Sequence, residues 1–190
     1  MTKRILVVED ESLVRLDIVL MLKDAGYDVV GEAGDGEKAI ELAYTLKPDL
    51  VIMDIKMPKL NGLKASEIIS NKFHIPILLL TAYSQSEYID KAKQANILGY
   101  IVKPVSETSL IPAVEIALQQ AENTKNFKVR LDEMNQELNN RKIVEKAKGI
   151  IMKHLNVSED EAFAKLRKIS MNKQMTIDKV ARRVLVKYKS

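Results

Sequence analysis

Leu50-Val51-Ile52-Met53-Asp54-Ile55-Lys56-Met57-Pro58-Lys59-Leu60-Asn61-Gly62 is the stretch from which the fold can be read. Four apolar residues follow one another and stop at a carboxylate. A short apolar run closed by turn-forming residues reads as a strand buried on both faces. Pro58 and Asn61-Gly62 supply the turn chemistry. Runs of the same kind occur on either side: Ile5-Leu6-Val7-Val8, Val29 to Ala33, Ile77 to Leu80, and Tyr100-Ile101-Val102. Between them the apolar spacing changes to that of a helix face. Ser12 to Ala25 carries Leu13, Leu16, Val19, Leu20 and Leu22, and Gly26 ends it. Gly36 to Leu46 carries Ala39, Ile40, Ala43 and Leu46, and further helices are expected near Leu63–Asn71 and Glu87–Ala95. Five such βα units predict an α/β domain with a parallel sheet and helices on both sides. The loops at the carboxyl ends of the strands form the active face of such a sheet.

Polar groups stand where those strands end. Strand one runs into Glu9-Asp10, strand three into Asp54, strand four into Thr81 and strand five into Lys103. Three carboxylates converging on one edge repel each other, and a hard divalent cation relieves that; Mg²⁺ suits a few carboxylates plus phosphate and water. A lysine there neutralises phosphate oxygens and a threonine hydroxyl donates to one. Any one of these residues alone is as readily a helix cap or a solvated loop group. The whole set, in order on the correct strands, is far more specific.

Residues 3 to about 120 thereby resemble a two-component response-regulator receiver domain. The resemblance rests on Glu9-Asp10, on Asp54 in Asp-Ile-Lys-Met-Pro-Lys-Leu-Asn-Gly, on Thr81-Ala82 and on Lys103-Pro104. It implies a flavodoxin-like fold with strand order 2-1-3-4-5. It implies that Asp54 is the phosphoacceptor for a sensor histidine kinase, and that Glu9, Asp10, Asp54 and the Lys56 carbonyl hold Mg²⁺. Lys103 then pairs with the phosphoryl group, its bond to Pro104 usually being cis. Thr81 is the switch hydroxyl and Tyr100 the aromatic that follows it inward. An aspartate-nucleophile phosphatase of the haloacid dehalogenase type is the competing enzyme. Such enzymes place a second acid two residues beyond the nucleophile to protonate the leaving group, and here that position is Lys56. A persistent acyl phosphate suits a switch rather than a turnover enzyme, so no small-molecule substrate is expected.

Composition narrows the rest. The 190 residues include no cysteine, which excludes disulfides, zinc–thiolate sites and cysteine nucleophiles, and only two histidines, His74 and His154. No apolar run approaches the roughly 20 residues of a membrane span. Acids follow the first residues too early for a signal peptide, so a cytoplasmic location is expected. The formal net charge of +4 conceals an asymmetry: residues 1–120 hold 13 Lys+Arg and 17 Asp+Glu, whereas residues 121–190 hold 17 and 9. An acidic part beside a basic part suggests two domains, the second facing a polyanion.

The expected organisation is a receiver domain over 1–120, a helical coiled-coil linker over 121–140 and a three-helix domain over 141–190. Leu131, Met134 and Leu138 follow the spacing of a coiled-coil seam, with Phe127 extending it backward. So narrow a stripe predicts a dimerising helix; packing within one chain is the alternative. Pro112 belongs to the first turn if the preceding helix opens near Thr108 and predicts a kink if it opens at Ser106. In the basic part, helices are expected over Arg141 to Leu155, after the capping box Ser158-Glu159-Asp160-Glu161, and from Thr176.

Ile143 to Met152 (Ile-Val-Glu-Lys-Ala-Lys-Gly-Ile-Ile-Met), Glu161 to Arg167 and Val180-Ala181 resemble the ANTAR domain. The whole chain is similar to the ethanolamine-utilisation transcription antitermination regulators. These resemblances imply an RNA-binding output acting on paired RNA hairpins, with homodimerisation upon phosphorylation. Candidate RNA-facing residues are Ala147, Lys148, Gly149, Met152, Lys153, Arg167, Lys179, Ala181, Arg182 and Arg183. Lysines and arginines would meet phosphates, while Gly149 and Ala181 would let a backbone or looped-out base come close. The aromatics there are few, Phe163 and Tyr188, and Phe163 is expected in the core, so stacking should be minor. A DNA-binding helix-turn-helix is the alternative output, but only Arg182 to Ser190 remain for a recognition helix. A purely protein-binding output is the third.

Overall fold

The computed structural model describes residues 2–82 and 97–188. The expected helix at Glu87–Ala95 lies outside the described residues. The chain divides into two compact units, residues 1–125 and 126–190.

In the first unit, β1 (Arg4–Val8), β2 (Asp28–Ala33), β3 (Leu50–Asp54), β4 (Ile77–Thr81) and β5 (Ile97–Val102) form one parallel sheet in the order β2-β1-β3-β4-β5. The interior strands explain the uninterrupted apolar runs: every residue of β3 and of β4, and all of β1 but Arg4, is buried. β2 and β5 are the edges, and their residues are mostly half-exposed. β5 begins at Ile97, three residues before the expected apolar core of that strand, because Ile97 pairs with Ile77 and Gly99 with Leu78.

Alternation along the strands divides the core between two faces. Ile5, Val7, Leu50, Ile52, Leu78 and Leu80 pack with α1 (Ser12–Asp24) and with Leu110, Val114 and Ala117. Leu6, Val8, Val51, Met53, Ile77 and Leu79 pack with α2 (Gly36–Leu46) and α3 (Gly62–Phe73). Both of the latter helices open on side-chain caps, Asp35 accepting from the Lys38 amide and Asn61 from the Lys64 amide.

The helix after β5 departs from expectation. A single helix, α4, runs from Glu107 to Leu155, so the expected linker and the first helix of the basic domain are continuous. Nothing between Gly99 and Gly149 ends a helix: the Asn139-Asn140 step contains neither glycine nor proline, and Glu137 pairs with Arg141 across it at 3.2 Å. Pro112 is the sixth helical residue, beyond the first turn, and the helix continues through it.

In the second unit, α5 (Glu159–Asn172) opens on the expected capping box of Ser158 and Glu161, and α6 (Ile177–Lys187) follows Thr176. Val144, Ala147, Ile151, Ala162, Leu166, Val180 and Ala181 form its core.

Candidate functional site

The carboxyl edge of the sheet gathers the polar strand ends. Asp54 is the last residue of β3 and is buried; Glu9 follows β1 and is fully buried; Asp10, next to it, is exposed. One carboxylate oxygen from each of the three lies within 4.8 Å of the others. Lys103 follows β5, and its amide donates to the Thr81 carbonyl at 2.8 Å, which fixes where its side chain starts. Its ammonium group stands 2.7 Å from Glu9 Oε2 and 3.0 Å from Asp54 Oδ1. The Lys103–Pro104 bond is cis. Thr81, at the end of β4, is buried, and with Ala82, Lys56, Asp10 and Lys103 it lines a cleft of about 180 Å³ over Asp54.

Burial dominates the electrostatics. It pushes the Glu9 and Asp54 carboxyls up from their ordinary values, with contact to Lys103 opposing the rise. Like-charge neighbours add to the rise, Asp54 acting on Glu9 and Asp10 on Asp54. For Lys103 burial works downward, yet hydrogen bonds to Glu9 and Asp54 prevail and the group is held above the usual lysine range. The ammonium is therefore the resident counter-charge of the acid pair.

The loop after Asp54 is held close to the sheet. The Gly62 amide donates to the Ile55 carbonyl at 3.0 Å, and a methyl group at Gly62 would be driven into the Asp54 carbonyl oxygen. Gly36 fits the same loop against α2, its amide donating to the Leu60 carbonyl at 3.2 Å. Lys59 reaches Asp35 at 2.7 Å. This folding-back sets Lys56 on the rim of the cleft. Closely grouped carboxylate oxygens on the wall of an open cleft are the hard-oxygen donor set that fits Mg²⁺. Tyr100 stands on β5 with half its surface exposed.

The second unit sorts the expected RNA-facing residues differently. Lys153, Arg167, Lys179, Arg182 and Arg183 are exposed, and Gly149 has open space where a side chain would be. Ala147 and Ala181 are not on a face at all: both are fully buried in the core of the unit. Met152 is half-buried against that core. Lys148 is buried, with its ammonium 2.7 Å from Glu145 and 2.6 Å from Glu159 and 5.9 Å over the Phe163 ring. Those contacts hold it above the usual lysine range, the bond to Glu145 contributing most. Phe163, expected in the core, is 42% exposed, because α5 turns Ala162 and Leu166 inward instead. No sequence signal marks which neighbour of an apolar helix face is left outside.

Sheet order, acid cluster and strand-five lysine together define a receiver-type switch domain, joined in one chain to a small helical output domain. The family model of the response regulator receiver domain matches residues 5–115, and that of the ANTAR domain matches residues 132–185. The transcriptional regulatory protein PdtaR of Mycobacterium tuberculosis is 41% identical over 183 residues, covering 96% of this chain and 89% of its own. The protein CcdB of Bacillus subtilis is 40% identical over 112 residues, 58% of this chain and 93% of its own. Among solved structures, the signal receiver domain of a modulated diguanylate cyclase from Desulfovibrio desulfuricans G20 superposes with a TM-score of 0.61 at 30% identity, covering 65% of this chain and 99% of that one. The chain belongs to the response regulators that carry an N-terminal receiver domain and a C-terminal ANTAR domain. No helix among the described residues is long and apolar enough to cross a membrane.

Proposed function

We propose that the chain is a cytoplasmic, phosphorylation-controlled regulator that dimerises when Asp54 is phosphorylated and then holds paired RNA hairpins, causing transcription antitermination. The observation that carries this reading is the Lys103 ammonium lodged between Glu9 and Asp54. It is a movable counter-charge at the acceptor carboxylate.

A sensor histidine kinase supplies the phosphoryl group, and an Asp54 carboxylate oxygen accepts it. Glu9, Asp10, Asp54 and the Lys56 carbonyl would hold Mg²⁺, which when bound offsets the negative charge of the acids and of the incoming phosphoryl group. The added dianion gives Lys103 a stronger partner than Glu9. Thr81 turns its hydroxyl to a phosphoryl oxygen, and Tyr100, now exposed, follows inward. The surface around β5 and the start of α4 changes with it and favours a dimer.

The seam of the dimer is Phe127, Leu131, Met134 and Leu138, all exposed. Pairing two weak output domains raises avidity for a transcript that presents two hairpins. Bound hairpins exclude the competing terminator structure. Asp54 functions here as a switch and not as a turnover nucleophile.

Gel shifts on a two-hairpin leader RNA, a one-hairpin truncation and duplex DNA, with and without acetyl phosphate and Mg²⁺, test this reading. The two-hairpin RNA is expected to shift tightly only with phosphodonor, the one-hairpin RNA weakly, and DNA not at all. Donor-independent binding, or preference for the duplex DNA of a helix-turn-helix regulator, would refute it.

A further inference from the structure

The last turns of α4 and α6 meet at an aromatic pair. The His154 ring lies 4.6 Å from the Tyr188 ring, with their planes 41° apart. Both residues are exposed. Lys187 places its ammonium 5.7 Å from the centre of the Tyr188 ring, and Lys153, also exposed, precedes His154.

Two explanations compete for this arrangement. In the first, the rings fasten α6 to α4, and the cations answer the carbonyl ends of the two helices. The helix ends do account for lysines there. They do not account for two adjacent ring systems that both keep access to solvent, Tyr188 at 36% exposure. The junction of α4 and α6 is already closed by Ile151, Val184 and Leu185, aliphatic side chains that pack on the core. Three acids of the same unit are engaged with other groups. Glu159 pairs with Lys148, Glu161 completes the capping box with Ser158, and Asp178 faces Arg182 from the opposite end of α6.

We propose that His154 and Tyr188 form a stacking platform for an unpaired RNA base, with Lys153 and Lys187 receiving the phosphates on either side. The inference rests on the RNA-binding reading and adds a subsite to it. Tilted, solvent-accessible rings flanked by cations offer the chemistry by which single-stranded nucleic acid is held, since every base has a π-face to set against an exposed ring. Paired bases offer none, so the platform selects loop nucleotides over helical RNA.

The chain contains no tryptophan, so Tyr188→Trp gives the full-length protein a single indole reporter at the site. With acetyl phosphate and Mg²⁺ present, the protein is titrated with a short oligoadenylate, a blunt RNA duplex and inorganic polyphosphate. Indole emission reports stacking, and anisotropy of labelled oligoadenylate or duplex reports binding. The oligoadenylate should quench the emission, and the duplex and polyphosphate should not. Tyr188→Leu keeps an apolar fastener but removes the π-face; it should melt at the wild-type temperature and lose about tenfold in oligoadenylate affinity. Binding without quenching, or a Tyr188→Leu protein that binds oligoadenylate like wild type, would overturn the platform and leave RNA binding intact. No change in anisotropy with the oligoadenylate would likewise overturn the platform, while the gel shifts on hairpin RNA decide the RNA-binding reading separately.

Discussion

Asp54 is under strain of an electrostatic kind before any phosphoryl group arrives. It and Glu9 are buried carboxyls whose values lie above those of the unfolded chain. Such groups hold protons more tightly in the folded state. Their contribution to stability is present at acid pH, below the unfolded value, and is lost as pH rises through the folded one. Thermal melts of the magnesium-free receiver unit within the full chain should therefore decline from acid toward neutral pH. Asp54→Asn, which removes one of the two charges, should flatten that decline and raise the neutral melting temperature. A lower melting temperature for the variant would mean that the Lys103 contact outweighs burial. Glu9, Asp54, Thr81 and Lys103 were legible in the sequence because each terminates an apolar run, and a parallel sheet brings such ends to one edge. Ala147 and Ala181 were not, since in a helix a small residue fits a crowded core and an open binding face equally well. The contact of His154 with Tyr188 joins residues 34 positions apart, and no local spacing announces it.

α4 shows why an element's existence is easier to read than its ends. The apolar residues before and after the polar stretch are recognisable, but the stretch itself lacks any residue that stops a helix, so two expected helices are one. Pro112 is accommodated past the first turn, a position at which propensity alone predicts a break. Along the same helix, Leu131 is 46% and Met134 61% exposed. Apolar side chains at that spacing gain burial only from a partner helix. Leu131→Asp should leave the far-ultraviolet dichroism of the chain unchanged. It should abolish phosphodonor-induced dimers in sedimentation velocity, since two carboxylates would face each other in the seam. A variant that still sediments as a dimer would place the interface elsewhere.

For the molecule as a whole, the division into an acidic part and a basic part was plain from the distribution of lysine, arginine and acids, and the parallel sheet followed from the alternation of apolar runs with helices, whereas its strand order came only from the resemblance to receiver domains. The same count overstates what nucleic acid can use. Residues 141–190 carry 14 Lys+Arg against 5 Asp+Glu, yet the largely covered Lys148 is already paired with two carboxylates, Glu145 and Glu159. A cation already neutralised from within releases no counterions when RNA arrives. Each phosphate contact adds about 0.7 to 0.9 to the slope of log affinity against log salt. Lys148→Met should therefore leave that slope as it is and lower the melting temperature instead, whereas Lys153→Met should make the slope shallower by about one contact. Formal charge is thus a poor meter of this domain's grip on RNA: some of its positive residues serve as mortar between helices, and only the remainder can condense a polyanion.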